Sequence, residues 1–301
     1  MDTLLSMRVF RRVAEAGSFV AAADQLQLSS AMASRHVAHL ERYLGARLLH
    51  RSTRHLSLTD GGNDYLERCK NLLDELDEAE SQVGQLALTP RGQLRVSAPV
   101  SFGTRHLGAV VGTYAARYPD VRLNLQLSDQ MVELAESGFD MALRIGVQPT
   151  PNLIARRLCA VRVMLVCSPG YARRYGLPRT PEDLQKHRAI GYAYSEVGDA
   201  WTLCGPDGPR NYPIRPVLYS NNGDLALAAA AADVGISSEP TFLVGEGLRN
   251  GSLISVLPDY PQEELSLYVV YLNRRYLSAK LRTFIDLLAE HFSTPYWDAG
   301  V

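Results

Sequence analysis

Residues 29 to 40 read Ser29-Ser30-Ala31-Met32-Ala33-Ser34-Arg35-His36-Val37-Ala38-His39-Leu40, and the way this stretch is folded decides the architecture of the first sixty residues. Val37, Leu40 and Leu44 follow Ala33 at steps of four, three and four, which places them on one apolar stripe of a helix. Ser30, Ser34, Arg35 and Ala38 fall on another face, which carries hydroxyls, a guanidinium and a methyl group. A solvated helix face is the plain reading of that pattern. The pattern also suits the DNA major groove, where Ser and Arg can hydrogen-bond base edges or phosphates and Ala can touch a thymine methyl.

A second short helix stands just upstream. Ser18 is a good N-cap, and residues 19 to 25 are Ala-rich. Leu26-Gln27-Leu28 is a tight connection, and Ser29 or Ser30 can cap the next helix. Two helices joined by three or four residues, with small Ala22 where they approach, predict a helix-turn-helix. Leu4, Met7, Phe10, Val13 and Ala14 recur at helical spacing and would cover the inner face of the pair. Residues 47 to 58 lose the helical period and predict a two-stranded wing with Arg51, Arg54 and His55 at its tip.

These residues resemble the LysR-type transcriptional regulators. The matching elements are Phe10 with Ala14, Gly17-Ser18-Phe19, Ala21-Ala22-Ala23, Leu26, Leu28-Ser29, Ser34-Arg35, Val37, Leu40-Glu41, Leu44-Gly45, Arg47-Leu48-Leu49, Arg51, and Leu56 to Thr59 with Gly62. The family commonly places Gln-Pro where this chain has Ser30-Ala31, which bears on the base that the first turn reads. The expected DNA-contacting set is Ser18, Ser29, Ser30, Ala31, Ser34, Arg35, His36 and Ala38 on the helices, with Arg51 and Arg54 on the wing. His36 and His39 stand three apart, a spacing that could bind metal, but no partner ligands accompany them, so they are read as phosphate or solvent contacts.

Charge is distributed unevenly along the chain although the net value is −1. Residues 1 to 58 hold eight arginines against four acids, a net +4, which marks the basic end as the DNA end. Residues 59 to 89 hold two basic residues against eight acids, a net −6. Within that acidic stretch Tyr65, Cys69, Leu72, Leu76, Ala79, Val83 and Leu86 recur in steps of four and three, an a/d seam. Thr59 is the expected cap, and Pro90-Arg91-Gly92 ends the helix. A long helix with one apolar stripe must pack on something, either its own chain or a second copy. The resemblance implies pairing of two subunits through this linker helix, tetramers built by a second contact between effector domains, and RNA polymerase as a further partner.

The chain of 301 residues is 46% apolar, enough for a small N-terminal domain and one or two further domains with cores of their own. There is no membrane-length apolar run and no signal-peptide pattern, so a cytoplasmic location is expected. Cys69, Cys159, Cys167 and Cys204 lack paired or regular spacing and are read as reduced, ordinary residues. No GxSxG, P-loop or GxGxxG motif is present, and no metal set is evident, so an enzyme is not expected.

After Pro90, strands alternate with helices. Strands are expected at 93 to 98, 121 to 127, 141 to 145, 163 to 167, 189 to 192, 217 to 219, 235 to 238, 251 to 257 and 265 to 271. Helical segments are expected at 102 to 118, 130 to 137, near Tyr171, at 181 to 186, 222 to 232 and from Ser278 to about Phe292. This βαβ pattern predicts parallel sheets. Leu94-Arg95-Val96, Tyr118-Pro119, Gly138-Phe139-Asp140 and Gly235-Ile236 extend the resemblance, which implies a bilobed, periplasmic-binding-protein-like α/β effector domain.

The expected organisation is therefore α/β. A winged helix-turn-helix (1 to 58) and a linker helix (59 to 89) precede an effector domain (90 to 301). Subdomain I would comprise 91 to 161 and 269 to 293 and subdomain II 162 to 268, with hinges near Val161 to Val163 and Tyr268 to Val270. A cleft between them would bind a small-molecule inducer without any cofactor, an aromatic or other small carboxylate being favoured. Its expected lining is Pro99, Val100, Ser101 and Phe102 where a strand meets a helix, Ser128 and Asp129, Arg144, Tyr192 and Tyr194, and Asn221 and Asn222. Capping and turn chemistry is the plain reading of each residue taken singly. The function expected is a sequence-specific regulator of transcription switched by the inducer. A ligand-insensitive repressor or architectural DNA-binding protein is the alternative.

Overall fold

A computed structural model of the chain describes residues 2–51, 56–82, 89–130, 134–146, 153–195, 197–272 and 277–299. It divides into two compact units, Met1–Thr89 and Pro90–Val301.

The first unit begins with helix α1, Thr3–Ala16, capped by the Asp2 carboxylate on the Leu4 amide and stopped at Gly17, whose φ of 62° suits glycine. Helix α2, Phe19–Gln25, starts at Ser18, whose hydroxyl accepts from the Ala21 amide. Helix α3, Ser30–Leu44, starts at Ser29, whose hydroxyl accepts from the Met32 amide, and it ends at Gly45. Strands β1, Leu49–Arg51, and β2, Leu56–Leu58, pair antiparallel as the wing. Helix α4, Asp60–Gln82, is capped by Thr59, whose Oγ1 accepts from the Gly62 amide at 2.9 Å. Val9, Phe10 and Val13 from α1 close on Ala22, Ala33, Val37 and Leu40, all of them fully buried. Leu4, expected in this core, is exposed instead.

The expected seam along α4 is split by the structure. Leu66, Cys69 and Leu73 turn into the head's own core, and Tyr65 packs against it with its ring 5.9 Å from that of Phe10. Cys69 is fully buried with its Sγ directed at the Met7 carbonyl, so it has no surface left for a second chain. Leu72 lies off that stripe and is 56% exposed, with Leu76 one turn further along. The reason is geometric: 62, 66, 69 and 73 form the face turned to the head, about 100° of helix rotation from the face of Leu72. The side chain of Ala79, and Val83 and Leu86 entirely, lie outside the described residues.

The second unit holds two five-stranded sheets. In chain order its elements are β3 (Gly92–Ala98), α5 (Val100–Arg117), β4 (Val121–Leu127), α6 (Leu134–Ser137), β5 (Met141–Gly146), β6 (Leu153–Val161), β7 (Val163–Cys167) and α7 (Pro169–Tyr175). A 3₁₀ turn, Pro181–Lys186, precedes β8 (Ala189–Tyr192), β9 (Ala200–Gly205), β10 (Gly208–Pro213), β11 (Pro216–Ser220), α8 (Gly223–Ala231), β12 (Ile236–Pro240) and α9 (Thr241–Arg249). Strands β13 (Ile254–Val256) and β14 (Leu265–Leu272) and helix α10 (Ala279–His291) complete it.

The first sheet runs β4-β3-β5-β14-β6, with β3 parallel to β4 and β5 and with β14 antiparallel to both of its neighbours. The second runs β11-β8-β12-β7-β13, with β8 parallel to β11 and β12 and with β7 antiparallel to β12 and β13. Both sheets are therefore mixed. Leu94, Val96, Phe102, Val110, Tyr114, Phe284 and Leu288 centre the core of subdomain I, while two smaller clusters cover the faces of the second sheet.

The chain crosses between the subdomains at Arg162, the single residue between β6 and β7, and the Thr241 amide donates to the Arg162 carbonyl at 2.9 Å. The expected second hinge at Tyr268 to Val270 is overturned. These residues pair with Arg144, Leu143 and Ala142 on one side and with Arg157, Arg156 and Ala155 on the other, so mid-strand hydrogen bonds hold them. Residues 265 to 268 accordingly belong to the sheet of subdomain I. Strand β6, the β9-β10 hairpin and helix α9 were not anticipated from the sequence.

Candidate functional site

In the head, α2 and α3 form a helix-turn-helix whose connection passes through Gln27, at φ 55°, and closes with the Leu28 amide on the Ala23 carbonyl at 2.9 Å. Ala33, Val37 and Leu40 face inward, and Ser30, Ala31 and Arg35 are exposed. Ser34 and Ala38 are half-buried on the same side, Ser18 is half-buried and Ser29 is exposed. The outer face of α3 thus presents short polar groups and the guanidinium of Arg35, with exposed Arg42 two turns further along.

His36 is corrected. Only 3% of it is exposed, and its Nδ1 lies 3.0 Å from the Ser6 hydroxyl. Ser6 donates its own proton to the Asp2 carbonyl at 2.7 Å, which assigns the shared proton to Nδ1 of His36. The histidine locks α3 to α1, since three residues after Ala33 and four before Leu40 it falls on the buried side of the helix. Arg51 lies on β1 with its backbone paired to Leu56, and its side chain and Arg54 lie outside the described residues. Glu41 carries a structural role that its place in the sequence does not signal. Its Oε1 accepts from the Leu48 and Leu49 amides at 3.0 and 3.3 Å and so fastens the wing to α3.

In the second unit, the N-termini of α5 and α8 come together from opposite subdomains. Helix α5 starts after Pro99 with no cap from its own side chain, and the Asp129 carboxylate accepts from the Val100 amide at 2.9 Å instead. Asn222 caps α8 on the Leu225 amide at 3.0 Å, and Asn221 donates to the Tyr194 hydroxyl at 3.3 Å. The rings of Tyr192 and Tyr194 stand edge to face with centroids 5.9 Å apart. Ser128 is occupied in a turn, its hydroxyl accepting from the Gln130 amide. Arg105 of α5 pairs with Asp224 of α8 at 2.6 Å. Burial alone would raise the Asp224 carboxyl. The nearby Ser101 hydroxyl and the Arg105 guanidinium hold it below its ordinary value.

Phe102, an expected lining residue, is not part of this convergence. It is fully buried in the core of subdomain I, its ring 5.4 Å from Phe242 and 5.8 Å from Trp297, because it lies on the inner side of α5. Arg144 shares the face of β5 that carries Ala142, opposite the face packed into the core with α5. Burial pulls its guanidinium below the usual range.

Ser101 is 6% exposed and its Oγ completes no hydrogen bond of ordinary geometry, despite the proximity of Asp224. Beside it lies a carboxyl that sequence reasoning does not single out. Glu239, on β12, is 7% exposed, and its Oε1 accepts from the Ser237 hydroxyl at 2.7 Å. Burial pushes this acid up to about 8, against the Ser237 hydroxyl and with the help of Asp224. A methyl group built on Gly223 would lie 3.0 Å from Oε2 of Glu239 and 3.7 Å from Oγ of Ser101, so both oxygens border the same point. The available signal is a lone acid in the buried strand sequence Ile236-Ser237-Ser238-Glu239-Pro240.

Residues 4–63 match the family model "Bacterial regulatory helix-turn-helix protein, lysR family", and residues 88–293 match "LysR substrate binding domain". An uncharacterized HTH-type transcriptional regulator of Haemophilus influenzae is 36% identical over 281 residues, 93% of this chain and 98% of its own length. The solved structure of CrgA, a LysR-type transcriptional regulator from Neisseria meningitidis, is 31% identical, with a TM-score of 0.62 over 96% of this chain and 99% of that one. The full-length structure of the Vibrio cholerae virulence activator AphB is 27% identical, with a TM-score of 0.61 over 97% of this chain and 100% of that one.

Proposed function

This chain belongs to the LysR family of bacterial DNA-binding transcriptional regulators, and on that premise we propose which residues read DNA and which sense the effector. Arg35, Ser34, Ser30 and Ala31 on the outer face of α3 enter the major groove, and Ser18 and Ser29 at helix starts receive phosphates. The wing adds Arg51 and Arg54. Two copies pair through the face of α4 that carries Leu72 and Leu76, which the head leaves exposed or half-buried, and effector domains join dimers into tetramers. RNA polymerase is the downstream partner, in the cytoplasm of a bacterium.

The effector is a small carboxylate held between the N-termini of α5 and α8. The observation that carries this reading is the convergence of two helix starts from opposite subdomains beside the buried Ser101 hydroxyl. Free amide groups at helix starts favour an anion, and a ligand gripped by both subdomains stabilises their closed arrangement by its differential affinity. The test is thermal unfolding of the full chain in the presence of acetate, benzoate, succinate and salicylate. A bound carboxylate at about one hundred times its Kd should stabilise the protein by about 2.7 kcal/mol. A panel that leaves the unfolding temperature unchanged at millimolar concentrations removes the carboxylate reading.

A further inference from the structure

The first crossing between the subdomains is Arg162, and a second lies at Glu263 and Glu264, both exposed. Up to that second crossing the chain stays tied to subdomain II. The Cys204 amide donates to the Pro261 carbonyl at 2.8 Å, and the Gln262 side chain exchanges hydrogen bonds with the Ser238 hydroxyl. At Leu265 the chain enters β14, paired with Val161 of β6. Crossings this short leave the angle between the subdomains to whatever packs beside them.

What packs there is a segment after α10 that belongs to neither sheet. Residues 295 to 299 form one 3₁₀ turn, with the Asp298 amide donating to the Pro295 carbonyl at 3.2 Å. They lie past residue 293, where the match to the substrate-binding family model ends. Trp297 is 5% exposed, and its ring centroid is 5.8 Å from that of Phe102 and 5.0 Å from that of His106, both on α5 of subdomain I. It is also 6.1 Å from the ring of Phe242 on α9, a helix that packs on β7, β12 and β13 of subdomain II. Its indole N–H meets no acceptor among the described residues, so ring packing holds it. On one side the Tyr296 hydroxyl lies 2.7 Å from Nδ1 of His106. On the other, Arg249 at the end of α9 donates to the Ala299 carbonyl at 3.3 Å. At the crossing itself, Nε of Arg162 donates to Oδ2 of Asp298 at 3.2 Å. A single turn is thus fastened to subdomain I, to subdomain II and to the residue that joins them.

We propose that this turn is a strap over the hinge that holds the two subdomains at one angle, with Trp297 as its positioning residue. Rotation about Arg162 that parts Phe242 from Phe102, whose rings are 5.4 Å apart, also strips Trp297 from one of them. The arrangement that brings the starts of α5 and α8 together is therefore favoured before any ligand arrives. A ligand then has less closing to bring about, whatever its chemistry.

The experiment is amide hydrogen exchange on the full-length protein without ligand, followed by mass spectrometry. In Trp297→Ala, peptides covering 160 to 166 and 238 to 245, which include the Thr241 amide bonded to the Arg162 carbonyl, should exchange about fivefold faster or more. Trp297→Phe, which keeps a ring in place, should restore most of the protection. Arg249→Gln combined with Asp298→Asn loosens the strap from outside the core and should speed the same peptides about two- to threefold. Peptides of β3 and α10 should keep their wild-type rates throughout. If Trp297→Ala fails to fold, the double variant carries the test alone. Wild-type exchange at the crossing in the double variant, or in a folded Trp297→Ala, overturns the strap. Acceleration shared equally by β3 and α10 also overturns it, since Trp297 would then be no more than a core residue of subdomain I.

Discussion

Arg105 of α5 and Asp224 of α8 pair at 2.6 Å across the two subdomains, one residue supplied by each. Both side chains are about a third exposed, so the pair contributes at most ~1 kcal/mol. Its position matters more than its strength. It forms where the two helix starts meet, so it favours the closed arrangement over any open one. Arg105→Ala should raise the half-saturating concentration of a bound carboxylate about two- to fivefold without changing the unfolding temperature of the apo protein by more than a degree or two. Titration of the variant beside the wild type decides it, and an unchanged midpoint would show that the pair plays no part in closure.

On the head, residues of one helix separate by face. Arg35→Ala and Ser34→Ala should weaken binding to the operator by about 1–3 kcal/mol and relax discrimination at the bases they meet, with no loss of head stability. His36→Ala should do the reverse, because it removes the partner of Ser6 inside the core and leaves affinity per folded molecule intact. Footprinting against mutated operators, read together with thermal unfolding, separates the two effects. Equal loss of specificity in His36→Ala would mean that the buried histidine shapes the groove contact after all.

Along α4, adjacent residues should answer differently. Leu72→Asp together with Leu76→Asp should dissociate the oligomer and lower operator binding while the head stays folded, since Leu72 is exposed. Leu73→Asp should unfold the head itself, because Leu73 is 1% exposed and a charge there has no partner. Sedimentation velocity and circular dichroism on the two variants provide the check. A monomeric, folded Leu73→Asp would reverse the assignment of the two faces.

The helix-turn-helix was legible because its signals are local: caps at Ser18 and Ser29 and one apolar stripe with a clear period. The parallel strands of both subdomains were legible for the same reason. The failures are all long-range. His36 and Phe102 carry side chains that suit a ligand, and only the partner that each helix packs against, Ser6 for one and Phe242 with Trp297 for the other, turns them inward. Cys69 falls on an apolar repeat that the sequence cannot divide between self and second copy. Tyr268 reads as a hinge residue only while β6, its pairing strand, goes unrecognised. Glu239 escapes notice because a single acid in a strand gives no hint of the helix starts that close over it.

Thiol chemistry offers a contrast between buried and accessible residues. Burial pushes Cys69, Cys159 and Cys167 each up to about 11, so almost none is thiolate at neutral pH. Cys204 is the more accessible of the four. Under native conditions at pH 7.5 a disulfide reagent should modify one equivalent rapidly, and Cys204→Ser should abolish that phase. Rapid modification of two or more thiols would place a reactive cysteine among the three buried ones.

Glu239 also ties the stability of the second unit to pH, with a sign opposite to that of an ordinary carboxylate. Its folded value of about 8 lies above its reference value of 4.5, so the native state holds a proton that the unfolded chain has already released. The resulting stabilisation is complete below pH 4.5 and is lost as pH rises through 8, on the order of 1 kcal/mol per pH unit inside that window. Asp224, held below its ordinary value, works in the other direction and only in acid, so the two do not overlap. Between pH 5 and pH 8 the wild type should therefore lose stability to denaturant more steeply than Glu239→Gln, whose amide has no proton to release. Parallel urea midpoints for the two proteins across that range would show that Glu239 ionises in the folded chain as it does in water, and the buried acid beside Gly223 would no longer account for any pH response.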